Sequence, residues 1–248
     1  MPLPAPGTGQ HGPSTTPPLR STVTPHQKWV KFKGVEQGKT SKPHKASQVW
    51  HIGTTSADWQ VVSVGGGQVT FDPRKGILMR PQASAALPSE ETHATLLLAK
   101  KTLKHPLRNF EATVTFTVVA QLREGKANDW ETFWLMFNYT LDSKGKKQAN
   151  YVIIKPNTGV EIGRAFDEVG QEFLLTKDQP TIPVGTTHTI KVTKIGPQIA
   201  VQLDGKSVAN YQSATAPKNI YDVAGAIVLY SEDAWVTVDS PIYIKPLP

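Results

Sequence analysis

From about Val49 onward, apolar and polar positions alternate in short runs separated by turn residues. The clearest run is Phe110 to Val119, where Phe110, Ala112, Val114, Phe116 and Val118 share one face. Glu111, Thr113, Thr115 and Thr117 take the other. A period of two over ten residues, rich in β-branched side chains, predicts a strand. Trp130 to Tyr139 repeats the pattern, with Phe133, Leu135 and Phe137 inward and Trp130, Thr132, Trp134 and Asn138 outward. Shorter strands are predicted at 60–64 and 68–71 on either side of Gly65-Gly66-Gly67, and at 76–80, 95–99, 151–155 and 160–165. More follow at 188–193, 198–203, 206–211, 225–230 and 235–244, with Asp204-Gly205 as a hairpin signal. No stretch holds a 3.6-residue period over ten residues, and only Ile220 to Ala224 suggests a turn of helix. About a dozen strands without alternating helices predict an all-β sandwich or barrel rather than a parallel α/β sheet.

Composition then separates the first 48 residues from the rest. They are rich in Pro, Thr, Ser and Gly and read as an extended arm, with Trp29-Val30-Lys31-Phe32 as a candidate edge strand. The arm carries seven of the chain's 27 basic residues and one of its 20 acidic ones, a net of +6. Residues 49–248 keep 20 basic and 19 acidic groups, so six of the seven net positive charges belong to the arm, which gives no reason to expect nucleic-acid binding by the domain. The arm reads as a solvated leader, or as a contact for a polyanion or another subunit. There are no cysteines, which excludes disulfides, thiolate catalysis and thiolate metal sites. No apolar run approaches the roughly 20 residues needed to cross a bilayer. The expected location is extracellular or periplasmic, after removal of a leader that these residues do not show, with the cytoplasm left open.

The runs His188-Thr-Ile-Lys-Val, Ile199-Ala-Val-Gln-Leu-Asp-Gly-Lys-Ser-Val, Gly225-Ala-Ile-Val-Leu-Tyr and Trp235-Val-Thr-Val-Asp239 resemble the closing strands of concanavalin A-like lectin/glucanase domains. Phe110–Val119 followed by Trp130–Tyr139 resembles their middle strands. The resemblance spans about 49–248 and implies a two-sheet antiparallel jelly-roll sandwich with a concave glycan-handling groove. The glucanase signature Glu-x-Asp-x-x-Glu is absent, and Asp167, Glu168 and Glu172 have the wrong spacing for one strand face. The strand motifs of alginate lyases are unmatched. Resemblance at this level does not confer a reaction.

Within that frame, alternation nominates the groove. Trp130 and Trp134 would form a stacking platform for sugar rings, with Asn138 and Lys155 as ligand-binding neighbours. Glu111, Glu161, Arg164 and Tyr230 are the catalytic candidates. Hydrolysis would use two carboxylates. A lyase would use Tyr151 or Tyr230 as base, with Arg164 neutralising a uronate. Against these stand plainer readings: the two tryptophans as a satellite core, Glu131 at a strand mouth, Asp167, Glu168 and Glu172 in a solvated loop, and His51 and His188 at the surface. Asn138-Tyr139-Thr140 matches an N-glycosylation acceptor. No cofactor is expected. A structural Ca2+ is the single ion the resemblance leaves open, and no convergent set of acids for it is placed. The expected partner is an oligo- or polysaccharide, bound and cleaved, or bound without cleavage; assembly through the arm is the third reading.

Overall fold

The computed structural model describes residues 48–85, 92–166, 170–213 and 220–248. The arm up to residue 47, with Trp29 to Phe32, lies outside them, as do Asp167 and Glu168. The strands, in chain order, are β1 (Trp50–Ile52), β2 (Trp59–Val64), β3 (Gln68–Asp72), β4 (Gly76–Arg80) and β5 (Ala94–Ala99), followed by the helix α1 (Lys100–Lys104). Then come β6 (Phe110–Gln121), β7 (Phe133–Leu141), β8 (Lys147–Lys155), β9 (Gly159–Phe166) and β10 (Gly170–Lys177). The chain continues through β11 (Thr187–Ile195), β12 (Gln198–Leu203), β13 (Lys206–Gln212), β14 (Ala226–Glu232), β15 (Ala234–Val238) and β16 (Ile242–Pro246). Among the described residues no helix is long and apolar enough to cross a membrane.

These strands make two antiparallel sheets packed face to face. One has seven strands in the order β10-β9-β8-β7-β14-β5-β2. The other has nine, with β13-β12-β11-β6-β15-β4-β3 as its path; β16 lies beside the first half of β6, and β1 beside β16. Between them lies one large core, to which β6 gives Phe110, Ala112, Val114, Phe116 and Val118. Across the gap β7 gives Phe133, Leu135 and Phe137, so the alternation read from the sequence holds on both strands. Phe116 meets Phe133 at 4.5 Å between ring centroids and Phe110 meets Phe137 at 5.3 Å. Such aromatic pairs contribute about 0.5–1.5 kcal/mol each beyond the area they bury.

The departures from the sequence reading have local causes. β2 and β3 flank the expected glycine turn without pairing to each other. They lie in different sheets, and Gly65 (φ 56°) and Gly66 (φ 71°) take the chain from one to the other in a backbone conformation that suits glycine. α1 is only five residues long, too short to show a helical period, and Ile220 to Ala224 forms no helix. β10 is an edge strand exposed at Gln171, Phe173 and Thr176, so it lacks the apolar face that marks buried strands.

Candidate functional site

The outer face of the seven-stranded sheet carries a second apolar cluster, with polar groups set into it. Register fixes the arrangement, because residues directly opposite in an antiparallel pair share a face. One row runs Leu96–Tyr230–Trp134–Ile153–Glu161 across β5, β14, β7, β8 and β9. Trp134 is 5% exposed and stands between two tyrosines, 4.7 Å from the Tyr151 ring and 5.5 Å from that of Tyr230. Its indole N–H donates to the carbonyl of Trp130 at 2.9 Å.

Each tyrosine reaches a glutamate. The Tyr151 hydroxyl donates to Glu161 Oε1 at 2.8 Å, and the other oxygen of Glu161 takes Lys155 Nζ at 2.9 Å. Gln171 Nε2 donates to the Tyr151 hydroxyl oxygen at 2.5 Å. On the far side of Trp134, the Tyr230 hydroxyl donates to Glu232 Oε2 at 2.8 Å. Burial pushes the Glu232 carboxyl up to about 7; the Tyr230 hydrogen bond opposes this, Asp233 and Glu131 add to it as like charges, and Arg123 counters them. Burial also pushes the Tyr151 hydroxyl well above the ordinary phenol range, and the charges of both Glu161 and Glu232 push the same way. Tyr230 is raised in the same direction, first by burial and then by Glu232. The two carboxylates therefore act on one small region around Trp134.

Behind Glu232 the chain crosses between sheets at one residue, Asp233, with β14 in one sheet and β15 in the other. Asp233 has φ 41° and is fully tied down. Its Oδ1 accepts from Ser84 Oγ at 2.5 Å and from the His93 amide at 2.8 Å, and its Oδ2 accepts from Arg123 at 2.7 Å. The same guanidinium donates to Glu131 Oε1 at 2.5 Å and to the Ala85 carbonyl at 3.1 Å. Arg123 thus joins the β6–β7 connection, the β14–β15 crossing and the residues before β5. Among the described residues no group of three or more His, Asp or Glu is arranged to hold a metal ion.

Four of the sequence candidates meet on this face: Glu161, Tyr230, Trp134 and Lys155. Trp130 packs against the cluster from the loop before β7, which starts at Phe133, so Trp130 is not on the strand. Trp134 is part of a satellite core and presents no open platform. Three candidates lie elsewhere. Glu111 is on the opposite sheet, 3.4 Å from Lys191, because β6 belongs to the nine-stranded layer. Arg164 falls on the other face of β9 from Glu161, where it pairs with Glu172 at 2.5 Å and lies over the Tyr221 ring at 5.3 Å. Strand alternation at offset three dictates that separation.

Asn138 is fully buried at a bulge with φ 52°, where its amide donates to the carbonyls of Leu107 (2.9 Å) and Val223 (2.7 Å) and its oxygen accepts from Asn150 (3.0 Å). That leaves no free amide for a glycan in the folded chain. Asn138→Ala should cost about 2 kcal/mol or more in urea unfolding, because a fully buried amide gives up its hydrogen bonds to Leu107, Val223 and Asn150 together. Glu131, expected at a strand mouth, is fully buried and held by Arg123 and Asn128. Glu232, Gln171 and Arg123 were not anticipated. Glu232 carries the one available signal, falling on the same strand face as Tyr230 by period two.

No protein-family model matches the sequence, and neither does any curated protein. Among solved structures, a Bacillus subtilis protein of unknown function with a galectin-like fold aligns at 9% identity and a TM-score of 0.50, covering 81% of this chain and 97% of its own. The fold is a concanavalin A-like jelly roll. A carbohydrate binding module, also from Bacillus subtilis, aligns at 15% identity and a TM-score of 0.49, covering 74% of this chain and 93% of its own.

Proposed function

We propose that this jelly roll binds an oligo- or polysaccharide against the outer face of its seven-stranded sheet and hydrolyses it there. The observation that carries this reading is the pair of Tyr–Glu contacts flanking Trp134 on one sheet face. Glycoside hydrolysis needs one carboxyl that holds a proton near neutral pH and a second that stays ionised. Glu232, pushed up to about 7, suits the first role. Glu161, with Lys155 Nζ at 2.9 Å, is the second carboxyl on this face. Elimination on a uronate is disfavoured, since Tyr151 and Tyr230 are pushed away from serving as bases and Arg164 faces elsewhere.

A panel of xylan, mannan, β-glucans and pectate, followed for reducing ends and for ultraviolet-absorbing unsaturated sugars, tests this. New reducing ends without unsaturated product are expected, with Glu232→Gln slowing turnover by about 10²- to 10⁴-fold. Neither binding nor turnover across the panel would overturn the reading. A non-catalytic glycan-binding module is the second reading. It is favoured by one observation: Tyr151 and Lys155 already occupy both oxygens of Glu161. That reading predicts affinity without turnover.

A further inference from the structure

The row beside the one through Trp134 runs Val228–Met136–Tyr151–Gly163–Phe173 across β14, β7, β8, β9 and β10. Its first three side chains are buried. Its last, Phe173, is 62% exposed, the most exposed large hydrophobic side chain among the described residues. Gly163 explains the step between them. A Cβ there would stand 2.1 Å from the Tyr151 hydroxyl oxygen, so the missing side chain is the space into which the phenol extends. From that space Tyr151 reaches Glu161, and Gln171 closes on it from β10. A register shift between Phe173 and Leu175 then bends the edge strand directly after the phenylalanine. Bulges at sheet edges re-aim side chains in this way.

The result is a step with a polar floor and an aromatic wall. Gln171 is exposed, and among the described residues its amide oxygen has no hydrogen-bond donor. A pyranose ring matches both surfaces, with apolar C–H faces and a rim of hydroxyls. The C–H face would lie on the phenyl ring, while the hydroxyls would meet the exposed Gln171 amide. We propose that Phe173 is the stacking wall of a sugar subsite at the open β10 edge of the sheet, with Gln171, held by the buried Tyr151–Glu161 pair, as its polar floor. This rests on the glycan reading above and moves the stacking role from Trp134, which is closed off, to a residue that solvent reaches.

The test compares the protein with Phe173→Ala and Phe173→Trp by calorimetric titration against those oligosaccharides of the panel that the unaltered protein binds. Phe173→Ala should weaken binding about 10-fold or more with an unchanged melting temperature, because the side chain packs little, and Phe173→Trp should restore it. Unchanged affinity in Phe173→Ala overturns the subsite while leaving the glycan reading intact. If the unaltered protein binds no member of the panel, the glycan reading falls and takes the subsite with it. A Phe173→Ala variant that alters light scattering from dimer to monomer at constant affinity assigns the ring to self-association, and overturns the subsite as well.

Discussion

Arg123→Met should destabilise the domain by about 3 to 5 kcal/mol, the range seen when one partner of a buried ion pair is removed. The guanidinium is 2% exposed, and both carboxylates it serves, Glu131 and Asp233, are fully buried. Glu131 Oε2 already has no hydrogen-bond partner, so its carboxylate depends on Arg123 and Asn128 acting on the other oxygen. With the cation gone, two anions would remain in an apolar surrounding that already raises the pKa of each, burial being the first cause in both. Urea unfolding of Arg123→Met measures the loss. Adding Glu131→Leu and Asp233→Asn should recover much of it, because the damage lies in unpaired buried charge and not in missing attraction. A loss under about 1 kcal/mol in the single variant would show that the network carries little of the fold.

The second large effect is on pH dependence. Glu232 has its carboxyl pushed from an ordinary 4.5 up to about 7. Between those values the folded protein holds a proton that the unfolded chain has released. By linkage, stability is then highest at low pH and falls as the pH rises from about 4.5 to about 7. A shift of that size corresponds to about 3 kcal/mol. Glu232→Gln keeps an acceptor for the Tyr230 hydroxyl and removes the charge, so this variant should lose that slope and be the more stable protein above about pH 7. Glu131 and Asp233 are shifted in the same direction and add slope in both proteins, so the difference between the two curves reads Glu232 together with its coupling to those two charges. Parallel stability curves would place the Glu232 carboxyl in a far wetter environment than its 8% exposure indicates.

The fold was legible because β6 and β7 each keep period two over a long run, and because one face of each enters the core. The site was legible only where the same rule sufficed. Glu161 and Lys155 follow from alternation, and the same rule sends Arg164, three residues from Glu161, to the opposite face. Which sheet a strand joins is a long-range property, and nothing near Glu111 in sequence announces that β6 lies in the other layer from Glu161. Arg123 acts through Asp233, more than 100 residues away, while Glu232 meets Tyr230 only two residues back on the same strand face. Trp134 carries an apolar ring and a polar N–H, which suit a sugar platform and a buried aromatic cluster equally, and only its neighbours decide.

The pairing of β1 with β16 has a consequence for synthesis. Trp50 finds its strand partner in Ile244, and β16 in turn completes the border of β6 at Ala112. Strand β6 also waits for β11, since Val114 pairs with Ile190. A ribosome must therefore deliver nearly 200 residues beyond Trp50 before the nine-stranded layer can close. Pairings so remote in sequence slow folding and leave unfinished edges exposed in the meantime. A chain released before Ile244 would carry β1 with no strand to lie against, and aggregation of such fragments should rise steeply as the stop point moves back across β16.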